Sequence, residues 1–293
     1  MRVFVTGASG FVGSAVVQEL LGAGHQVLGL ARSEESAQAL VAAGAEAHRG
    51  SLDDLDSLRR GAAAADGVIH LAFVHDFAAY EMAGQTDRLA IEALGETLAG
   101  SDRPLLVTSG LAGFNLGRPA TEDDQPASLA RLSEPTALAL AAKGVRASVV
   151  RLAASVHDRH DHGFVPTLIN IARQTGVAAY VGDGHNRWPA VHRLDAARLY
   201  RLALEQGVGG AIYHGVADEG IAMHDIAAII GRHLNLPVVS KTPEEAAAHF
   251  GWMARFVGLD MPATSTLTQQ RLSWYPTQPG LLADLEQGHY FAS

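Results

Sequence analysis

Short apolar runs alternate with stretches of helical periodicity along the first half of the chain. The segments between the runs, such as 15–21 and 87–99, place apolar residues three and four positions apart, which is typical of helices. The runs that we interpret as buried strands are 2–6, 26–31, 45–48, 67–72, 104–108 and 147–152. Alternation of this kind predicts an α/β fold with a parallel, doubly wound sheet and helices on both faces.

A glycine-rich turn, GASGFVG (7–13), joins the first strand to the first helix. Glycines let the backbone approach a pyrophosphate, and the start of the helix offers amide donors and a favourable dipole. A strand, this turn and a helix in that order predict a Rossmann-type dinucleotide site. Ligands of such sheets bind beyond the carboxyl ends of the strands, so the informative segments follow Thr6, Ala31, Ala72, Thr108 and Leu152.

The second half of the chain is predicted to be mainly helical. The segments 224–234, 242–256 and 264–274 have helical character, and the second begins with a capping pattern from Thr242 to Glu245. We therefore expect a cofactor-binding domain over 1–152 and a smaller substrate-binding region over 153–293. Residues 186–206 are expected to return to the first domain.

Composition narrows the classes of function. The 293 residues are 48% hydrophobic, with a net charge of -9 and no cysteine. The absence of cysteine excludes disulfides, thiolate metal sites and a cysteine nucleophile, and it suits a reducing cytoplasm. No basic stripe supports nucleic-acid binding, and no apolar run approaches the ~20 residues of a membrane span. Because the first strand is predicted to begin at Arg2, we expect no signal peptide. We expect a cytoplasmic protein that acts on a small molecule.

The end of the second strand indicates which dinucleotide is bound. NAD sites usually place an acidic residue there to bind the ribose hydroxyls, but this strand ends Leu30-Ala31-Arg32-Ser33. Arg32 can form a forked contact with a 2′-phosphate, and Ser33 can add a hydroxyl. The alternative is an ordinary solvated arginine. The pattern favours NADP(H) over NAD(H).

Six segments in order across nearly the whole chain resemble the extended or atypical branch of the short-chain dehydrogenase/reductase superfamily. They are TGASGFVG (6–13), VIHLA (68–72), LVTSG (106–110), VVRLAASVH (149–157), WPAVHRLDAARLYRLALE (188–205) and LSWYP (272–276). The resemblance implies a sheet with a smaller substrate region and allows a homodimer. The cofactor-binding residues that it implies are Thr6, Gly7, Ser9, Gly10, Phe11, Val12, Gly13, Arg32, Ser33, Leu52, Leu71, Ala72 and Thr108.

The superfamily's catalytic tyrosine and lysine are missing from their expected place. Enzymes of that superfamily use a serine with a Tyr-x-x-x-Lys pair, yet residues 107–134 contain no Tyr, Lys, His or Cys. A match of Arg131 to the lysine puts Ala127 at the tyrosine position. The serine position falls on Ser109 or Gly110. The chain resembles an atypical subgroup in which basic residues replace both groups, but it keeps only an arginine.

The proton donor therefore has to be sought elsewhere. A guanidinium does not release its proton near neutral pH, so Arg131 is expected to anchor a ribose or polarise a carbonyl oxygen. The acids Glu122, Asp123, Asp124 and Glu134 lie in or beside a polar loop that we expect to be solvated, which makes them poor donors. His75 follows the fourth strand, and its imidazole suits a general acid; the alternative is a loop histidine bonded to backbone.

Aromatic and polar side chains are expected around the substrate. Trp188 offers a flat wall or else packs in the core, and Arg187 offers a fork for an anion. The segment HDRHDH (157–162) has ligand-like residues, but no second ligand motif accompanies it, so we expect no metal site. The predicted substrate-binding residues are Phe73, Phe77, Gly110, His157, Phe164, Arg187 and Trp188.

The combined pattern predicts an atypical NADP(H)-dependent oxidoreductase that reduces a carbonyl-type bond in a small, fairly apolar substrate. Two other classes stay open. A sugar-nucleotide epimerase or dehydratase agrees with the resemblance but normally needs the missing tyrosine. A non-catalytic NADP(H)-binding regulator agrees with the loss of catalytic groups.

Overall fold

The computed structural model describes residues 1–74, 80–126 and 131–292. Its strands are β1 (Arg2–Thr6), β2 (Gln26–Ala31), β3 (Glu46–Arg49), β4 (Gly67–His70), β5 (Leu105–Gly110), β6 (Ala147–Leu152), β7 (Ser155–His157), β8 (Ala178–Val181), β9 (Arg187–His192), β10 (Ile212–Gly215), β11 (Asp218–Ala222) and β12 (Val238–Lys241). Its helices are α1 (Phe11–Gly22), α2 (Glu34–Ala42), α3 (Leu55–Ala63), α4 (Tyr80–Leu98), α5 (Ser133–Ala142), α6 (Phe164–Thr175), α7 (Arg193–Gln206), α8 (Met223–Leu234), α9 (Pro243–Phe250), α10 (Ala254–Val257), α11 (Thr266–Leu272) and α12 (Leu281–Glu286).

The main sheet has seven parallel strands in the spatial order β10-β6-β5-β4-β1-β2-β3. This arrangement confirms the predicted doubly wound, Rossmann-type fold. The chain builds outward from β1 to β3 and then crosses to β4 on the other side of β1. The strand order therefore reverses between β1 and β4, and the crevice at their carboxyl ends is where such folds bind ligands.

Two layers of helices cover the sheet. Helices α1 and α7 pack against each other on one face, where Val16, Leu20 and Leu199 are fully buried. Helices α3, α4 and α5 cover the other face, around Leu58 and Ile91. Helix α7 and strand β10 come from the second half of the chain, so the main sheet and its helical layers include elements that lie beyond residue 152.

A second apolar cluster belongs to the C-terminal region, where α6, α8 and α9 pack around Trp188 and two short sheets. The capping pattern before α9 is present, because Thr242 Oγ1 accepts from the Glu245 amide at 3.3 Å and Glu245 Oε2 accepts from the Thr242 amide at 2.9 Å. The predicted helix over 242–256 is broken at Gly251, whose φ of 56° ends α9. Within the described ranges, no helix has the length and apolar character to span a membrane.

Candidate functional site

The glycine turn presses the ends of β1 and β4 against the start of α1. Gly7 has a φ of 69°, and a Cβ there would lie 2.8 Å from the Ala72 amide nitrogen. A Cβ on Gly13 would lie 2.0 Å from the Gly7 carbonyl oxygen. Helix α1 starts after Gly10 without a side-chain cap, so its first amides are open to an anion. The turn thus fits the pyrophosphate of a dinucleotide.

The other predicted cofactor residues come from the carboxyl ends of neighbouring strands. Ser9 and Gly10 are exposed, Phe11, Val12, Leu71 and Ala72 are half-buried, and Leu52 packs at the edge of the core beneath α3. Thr6 Oγ1 accepts from the Ala72 amide at 3.2 Å. Thr108 Oγ1 donates to the His70 carbonyl at 2.8 Å and accepts from the Tyr200 hydroxyl at 2.8 Å. These contacts join the ends of β1, β4 and β5 along one edge of the sheet.

Arg32 extends into solvent at the carboxyl end of β2. It is exposed and makes no hydrogen bond or ion pair with any described residue. Ser33 caps α2, because its Oγ accepts from the Ser36 amide at 3.1 Å. Arg49 ends the adjacent strand opposite Ala31 and forms an exposed pair with Glu34 at 3.4 Å. The cation of Arg32 is therefore open to a phosphate at this corner.

A buried hydrogen-bond chain runs from β1 to α5. The His70 ring lies in the interior, with Nδ1 at 2.9 Å from Thr6 Oγ1 and Nε2 donating to Asp87 Oδ1 at 3.0 Å. Ser133 Oγ donates to Asp87 Oδ2 at 2.5 Å. Burial by itself raises the pKa of Asp87, but the hydrogen bond and charge of His70 oppose it. With the added effects of Arg131 and Ser133, the pKa of Asp87 is below its usual value, so this carboxylate holds its charge.

Arg131 is the last member of this chain and lies closest to solvent. Its Nε donates to Ser133 Oγ at 2.7 Å, and its guanidinium carbon lies 4.0 Å from the centre of the Phe73 ring. Neither Nη atom has a hydrogen-bond partner within the described part of the chain. Stacking and one hydrogen bond therefore orient the guanidinium, and two donor nitrogens stay available to a ligand oxygen.

Strand alternation decides which residue of β5 faces this chain. Leu105 and Val107 pack toward α4 and α5, so Ser109 is on the same face of the sheet. Ser109 is also the register partner of Arg151 on β6. Gly110 is half-buried on the other face, and a Cβ there would meet nothing within 4 Å. Of the two serine positions that the sequence allows, Ser109 is therefore the one on the face of the sheet that α4 and α5 cover.

A second buried polar cluster adjoins the first and corrects one expectation. Arg151 is fully buried and binds Glu134 with two hydrogen bonds, Nε to Oε2 at 2.8 Å and Nη2 to Oε1 at 2.6 Å. Its Nη1 donates to His214 Nε2 at 3.2 Å. Glu122 Oε1 accepts from the amide and the hydroxyl of Thr268, each at 2.6 Å. The expectation that the acids of this region are solvated is wrong for Glu122 and Glu134, because tertiary partners bury both.

The two remaining acids of that loop differ in exposure, since Asp124 is half-buried. Asp123 is exposed, and Asp124 is bound by both Nη atoms of Arg118 at 2.7 and 2.8 Å. The hydrogen bond from Arg118 lowers the pKa of Asp124. The predicted donor His75 and the predicted pocket residue Phe77 lie outside the described residues, as does Ala127.

The substrate-side predictions separate into two groups. Phe164 is half-buried and contacts three aromatic rings, those of Trp188, Trp252 and Phe256, at centroid distances of 5.4, 6.0 and 5.1 Å. Trp188 itself is 0% exposed within the C-terminal core, so its ring offers no open wall in this structure. The packing alternative describes Trp188 correctly.

Arg187 and His157 are both held by carboxylates. Arg187 Nε and Nη2 donate to the two oxygens of Asp260 at 3.0 and 2.9 Å, which closes the fork that was predicted for an anion. His157 is fully buried, and its Nδ1 donates to Asp284 Oδ2 at 2.9 Å. Among the described residues, no group of three or more histidine or acidic side chains is arranged to hold a metal ion.

Sequence reasoning did not identify His70, Asp87 and Ser133. The sequence does carry one signal for His70, because this residue interrupts the apolar run GVIHLA. Asp87 had a weaker signal, because it is a charged residue on the face of α4 that also carries the buried Ala90 and Leu94. Nothing in the local pattern distinguishes Ser133, whose role depends on where α4 passes α5.

The chain is similar to several known proteins. A sequence model of the NAD dependent epimerase/dehydratase family matches residues 3–94. An uncharacterized protein of Schizosaccharomyces pombe is 52% identical over 99% of this chain and 100% of its own length. The 4-hydroxy-2-methyl-3-oxo-4-farnesyl-3,4-dihydroquinoline-1-oxide ketoreductase of Stigmatella aurantiaca is 31% identical over 73% of this chain and 67% of its own.

Solved structures extend the likeness in fold to the C-terminal region. The dTDP-glucose 4,6-dehydratase of Streptomyces venezuelae, crystallised with NAD, has a TM-score of 0.79 and 19% sequence identity, over 99% of this chain and 97% of that one. At this identity the likeness concerns the fold alone. The sequence match over 3–94 spans β1 to α4, which are the elements that build the glycine turn and carry His70 and Asp87.

Proposed function

Because this chain belongs to the NAD dependent epimerase/dehydratase family of the short-chain dehydrogenase/reductase superfamily, we propose that it is an NADP(H)-dependent reductase of a carbonyl bond in a small, fairly apolar substrate. The observation that carries this proposal is the orientation of Arg131. Its guanidinium is held by Ser133 and Phe73 and keeps two donor nitrogens free. A preoriented cation of this kind is the group that a developing oxyanion requires.

The chemistry divides between the cofactor and the protein. NADPH, when bound, would supply the hydride for the carbonyl carbon; the carbonyl oxygen would then hold the electron pair of the broken π bond and would need a proton. In this proposal the Nη atoms of Arg131 stabilise the oxygen, and Ser109 holds it from the neighbouring strand. His75 delivers the proton. Asp87 and Ser133 are positioning residues that fix Arg131 through one continuous set of hydrogen bonds.

The proposed cofactor preference rests on the corner of the sheet at β2. Arg32 is exposed there without a partner in the described ranges, and no acidic residue ends the strand. A free guanidinium suits a 2′-phosphate, whereas the acid that would bind ribose hydroxyls is missing. The proposal is therefore NADP(H), although the dehydratase of the same fold was crystallised with NAD.

The nature of the substrate is argued from the C-terminal region. The half-buried Phe164 with Trp252 and Phe256 offers an aromatic surface, and Asp260 neutralises the fork of Arg187. A nucleoside diphosphate needs cations that are free to bind phosphate, so these contacts favour an apolar ketone or aldehyde over a sugar nucleotide. The relative from Stigmatella aurantiaca is named as the ketoreductase of a farnesyl-bearing compound, and this name also supports an apolar carbonyl substrate.

The test is NADPH oxidation with a panel of ketones and aldehydes, with sugar nucleotides as a second panel. Arg131→Met should lower kcat by ~10²–10³-fold, the usual loss when one oxyanion donor is removed. Arg131→Lys keeps the charge but loses the forked donor geometry, so its kcat should lie between that of Arg131→Met and that of the wild type. Arg88→Met is the matched control, because Arg88 is a half-buried arginine on α4 that pairs with Glu92.

The outcomes separate the three classes of function. Carbonyl turnover that depends on Arg131 supports the reductase. Turnover of a sugar nucleotide by the wild type would establish the epimerase or dehydratase class instead. Tight NADPH binding with no turnover of either panel would favour a cofactor-binding regulator. Carbonyl turnover that is equal in wild type and Arg131→Met would remove Arg131 from the mechanism.

A further inference from the structure

One loop of the C-terminal region lies directly against the glycine turn. We name residues 157–163 the mouth loop. Its His162 ring meets the Phe11 ring edge-on at 5.8 Å, and the guanidinium of Arg193 lies over the same ring at 4.8 Å. Phe11 is the first residue of α1, whose open amides form the proposed pyrophosphate site. The mouth loop and Arg193 therefore contact the cofactor turn at its first helical residue.

Asp158 ties the mouth loop to the start of α7. Its Oδ2 accepts from Arg193 Nη2 at 3.0 Å, and its Oδ1 lies 3.6 Å from His192 Nε2. His192 Nδ1 accepts from the Leu194 amide at 3.2 Å, so the proton of the neutral ring is on Nε2 and faces Asp158. A shift of the mouth loop would consequently move the carboxylate that orients Arg193 over Phe11.

The mouth loop is in turn fastened by the end of the chain. We name residues 281–291 the C-terminal clasp. Asp284 of the clasp accepts the 2.9 Å hydrogen bond from His157, and both side chains are buried. The Tyr290 hydroxyl accepts from the Asp158 amide at 3.2 Å and donates to Asp161 Oδ2 at 3.2 Å. The clasp thus contacts the mouth loop at three residues, on both sides of the exposed Arg159.

We propose that Asp284 and Tyr290 are positioning residues for the dinucleotide, because they hold the mouth loop so that Asp158 keeps Arg193 and His162 against Phe11. This inference rests on the cofactor assignment of the proposed function. The side-chain hydrogen bonds and ion pairs of both residues go to the mouth loop and His289, and within the described residues none of them reaches the chain from Thr6 to Arg131. The clasp should therefore govern cofactor affinity and leave the chemical step unchanged.

The experiment compares Tyr290→Phe and Asp284→Asn with wild type. NADPH affinity is measured by fluorescence titration, and tryptic cleavage after Arg159 is followed by mass spectrometry with and without NADPH. Each variant loses one or two hydrogen bonds, so we expect the Kd for NADPH to rise about 3- to 10-fold. Cleavage after Arg159 should become faster, NADPH should protect the wild type more than the variants, and kcat at saturating NADPH should not change.

Glu286→Gln is the matched control, since Glu286 is also on α12 but faces Arg232 and His233 at the surface. It should behave as wild type in both measurements. Wild-type protein that binds neither NADPH nor NADH would overturn the cofactor assignment and this inference with it. Unchanged Kd and unchanged cleavage in both clasp variants of a protein that binds NADPH would overturn this inference alone. A lower melting temperature without a change in Kd would likewise reduce the clasp to a stabilising role and overturn it.

Discussion

Ser133 Oγ donates a 2.5 Å hydrogen bond to Asp87 Oδ2, and this contact joins the first turn of α5 to the middle of α4. The next residue, Glu134, binds the buried Arg151 on β6 through both carboxylate oxygens. Two consecutive residues therefore hold the start of α5 from two sides. Arg131, two positions before Ser133, takes its orientation from this junction.

Removal of the Ser133 hydroxyl should disturb the position of Arg131. Ser133→Ala leaves Arg131 Nε and Asp87 Oδ2 without their partner, and an unsatisfied buried group of this kind costs about 1–3 kcal/mol of stability. Misplacement of a catalytic group by about 1 Å can cost ~10²-fold in rate, so we expect a loss of kcat of that order. The measurements are kcat on a reduced carbonyl compound and the free energy of unfolding in urea.

A serine with similar contacts provides the control for that experiment. Ser101 Oγ accepts from Arg103 Nε at 3.1 Å and donates to the Leu98 carbonyl at 2.6 Å, but it lies before β5, at the opposite end of that strand from Ser109. Ser101→Ala should reduce stability and leave kcat unchanged. Equal kcat in Ser133→Ala and wild type would contradict a positioning role for Ser133.

Arg32 should determine the preference between the two nicotinamide cofactors. A charged hydrogen bond to a phosphate contributes about 1.5–3 kcal/mol, so Arg32→Ala should weaken NADPH binding by roughly 10- to 150-fold and leave NADH binding nearly unchanged. Titration of both cofactors against both proteins measures this. Arg49→Ala is the control, because Arg49 ends the adjacent strand but already pairs with Glu34. Equal wild-type affinities for NADPH and NADH would contradict the preference.

The sequence predicted those parts of the molecule that depend on local pattern. Apolar runs place β1, β2 and β6 with the observed bounds, and GASGFVG indicates the turn because Gly7 and Gly13 have no room for a Cβ. Strand β10 was missed, since Ile212–Gly215 is short and becomes a strand by pairing with β6. The burial of Glu122 could not be predicted either, because its partner Thr268 is far away in the sequence.

The residues of the candidate site divide in the same way, into those that local motifs predict and those that depend on tertiary contacts. Arg131 and Ser109 are predicted as site residues from their place relative to the motifs of the resemblance, and that prediction needs only the order of those motifs along the chain. The link between Arg131 and the cofactor turn runs through Ser133, Asp87 and His70, whose contacts cross from β4 to α4 and from α4 to α5. Pairings of this type depend on helix packing, and the sequence period of a single helix carries no information about its neighbour.

His75 remains the predicted proton donor, and its test does not need a structure. The loss of a general acid typically lowers turnover by about 10²–10⁴-fold, so His75→Gln should have an effect of that size with little change in NADPH affinity. Wild-type turnover should fall as pH rises through the range in which an imidazole loses its proton. Near-full activity of His75→Gln on a substrate that the wild type reduces would assign proton donation to water or another residue.

The cluster around Arg151 should make folding stability depend on pH through His214. The Nδ1–H of His214 donates to the Thr264 carbonyl at 2.8 Å, so Nε2 is the nitrogen that accepts from Arg151 Nη1. A proton on Nε2 would break that hydrogen bond and place a second positive charge beside the guanidinium. Burial lowers the pKa of His214 to about 4, well under the value of an unfolded histidine.

The sign of the effect follows from proton binding in the two states. Between about pH 6.5 and pH 4 the unfolded chain binds a proton at this histidine and the folded chain does not, so stability falls as pH falls through that window. The contribution of His214 to the slope of the unfolding free energy against pH approaches ~1.4 kcal/mol per pH unit at most. It vanishes above the pKa of the histidine in the unfolded chain. His214→Gln keeps a side chain that can accept from Arg151 but cannot titrate. Urea unfolding at pH 7 and pH 5 should show a smaller loss of stability in His214→Gln than in wild type, and identical losses would mean that His214 does not control this dependence.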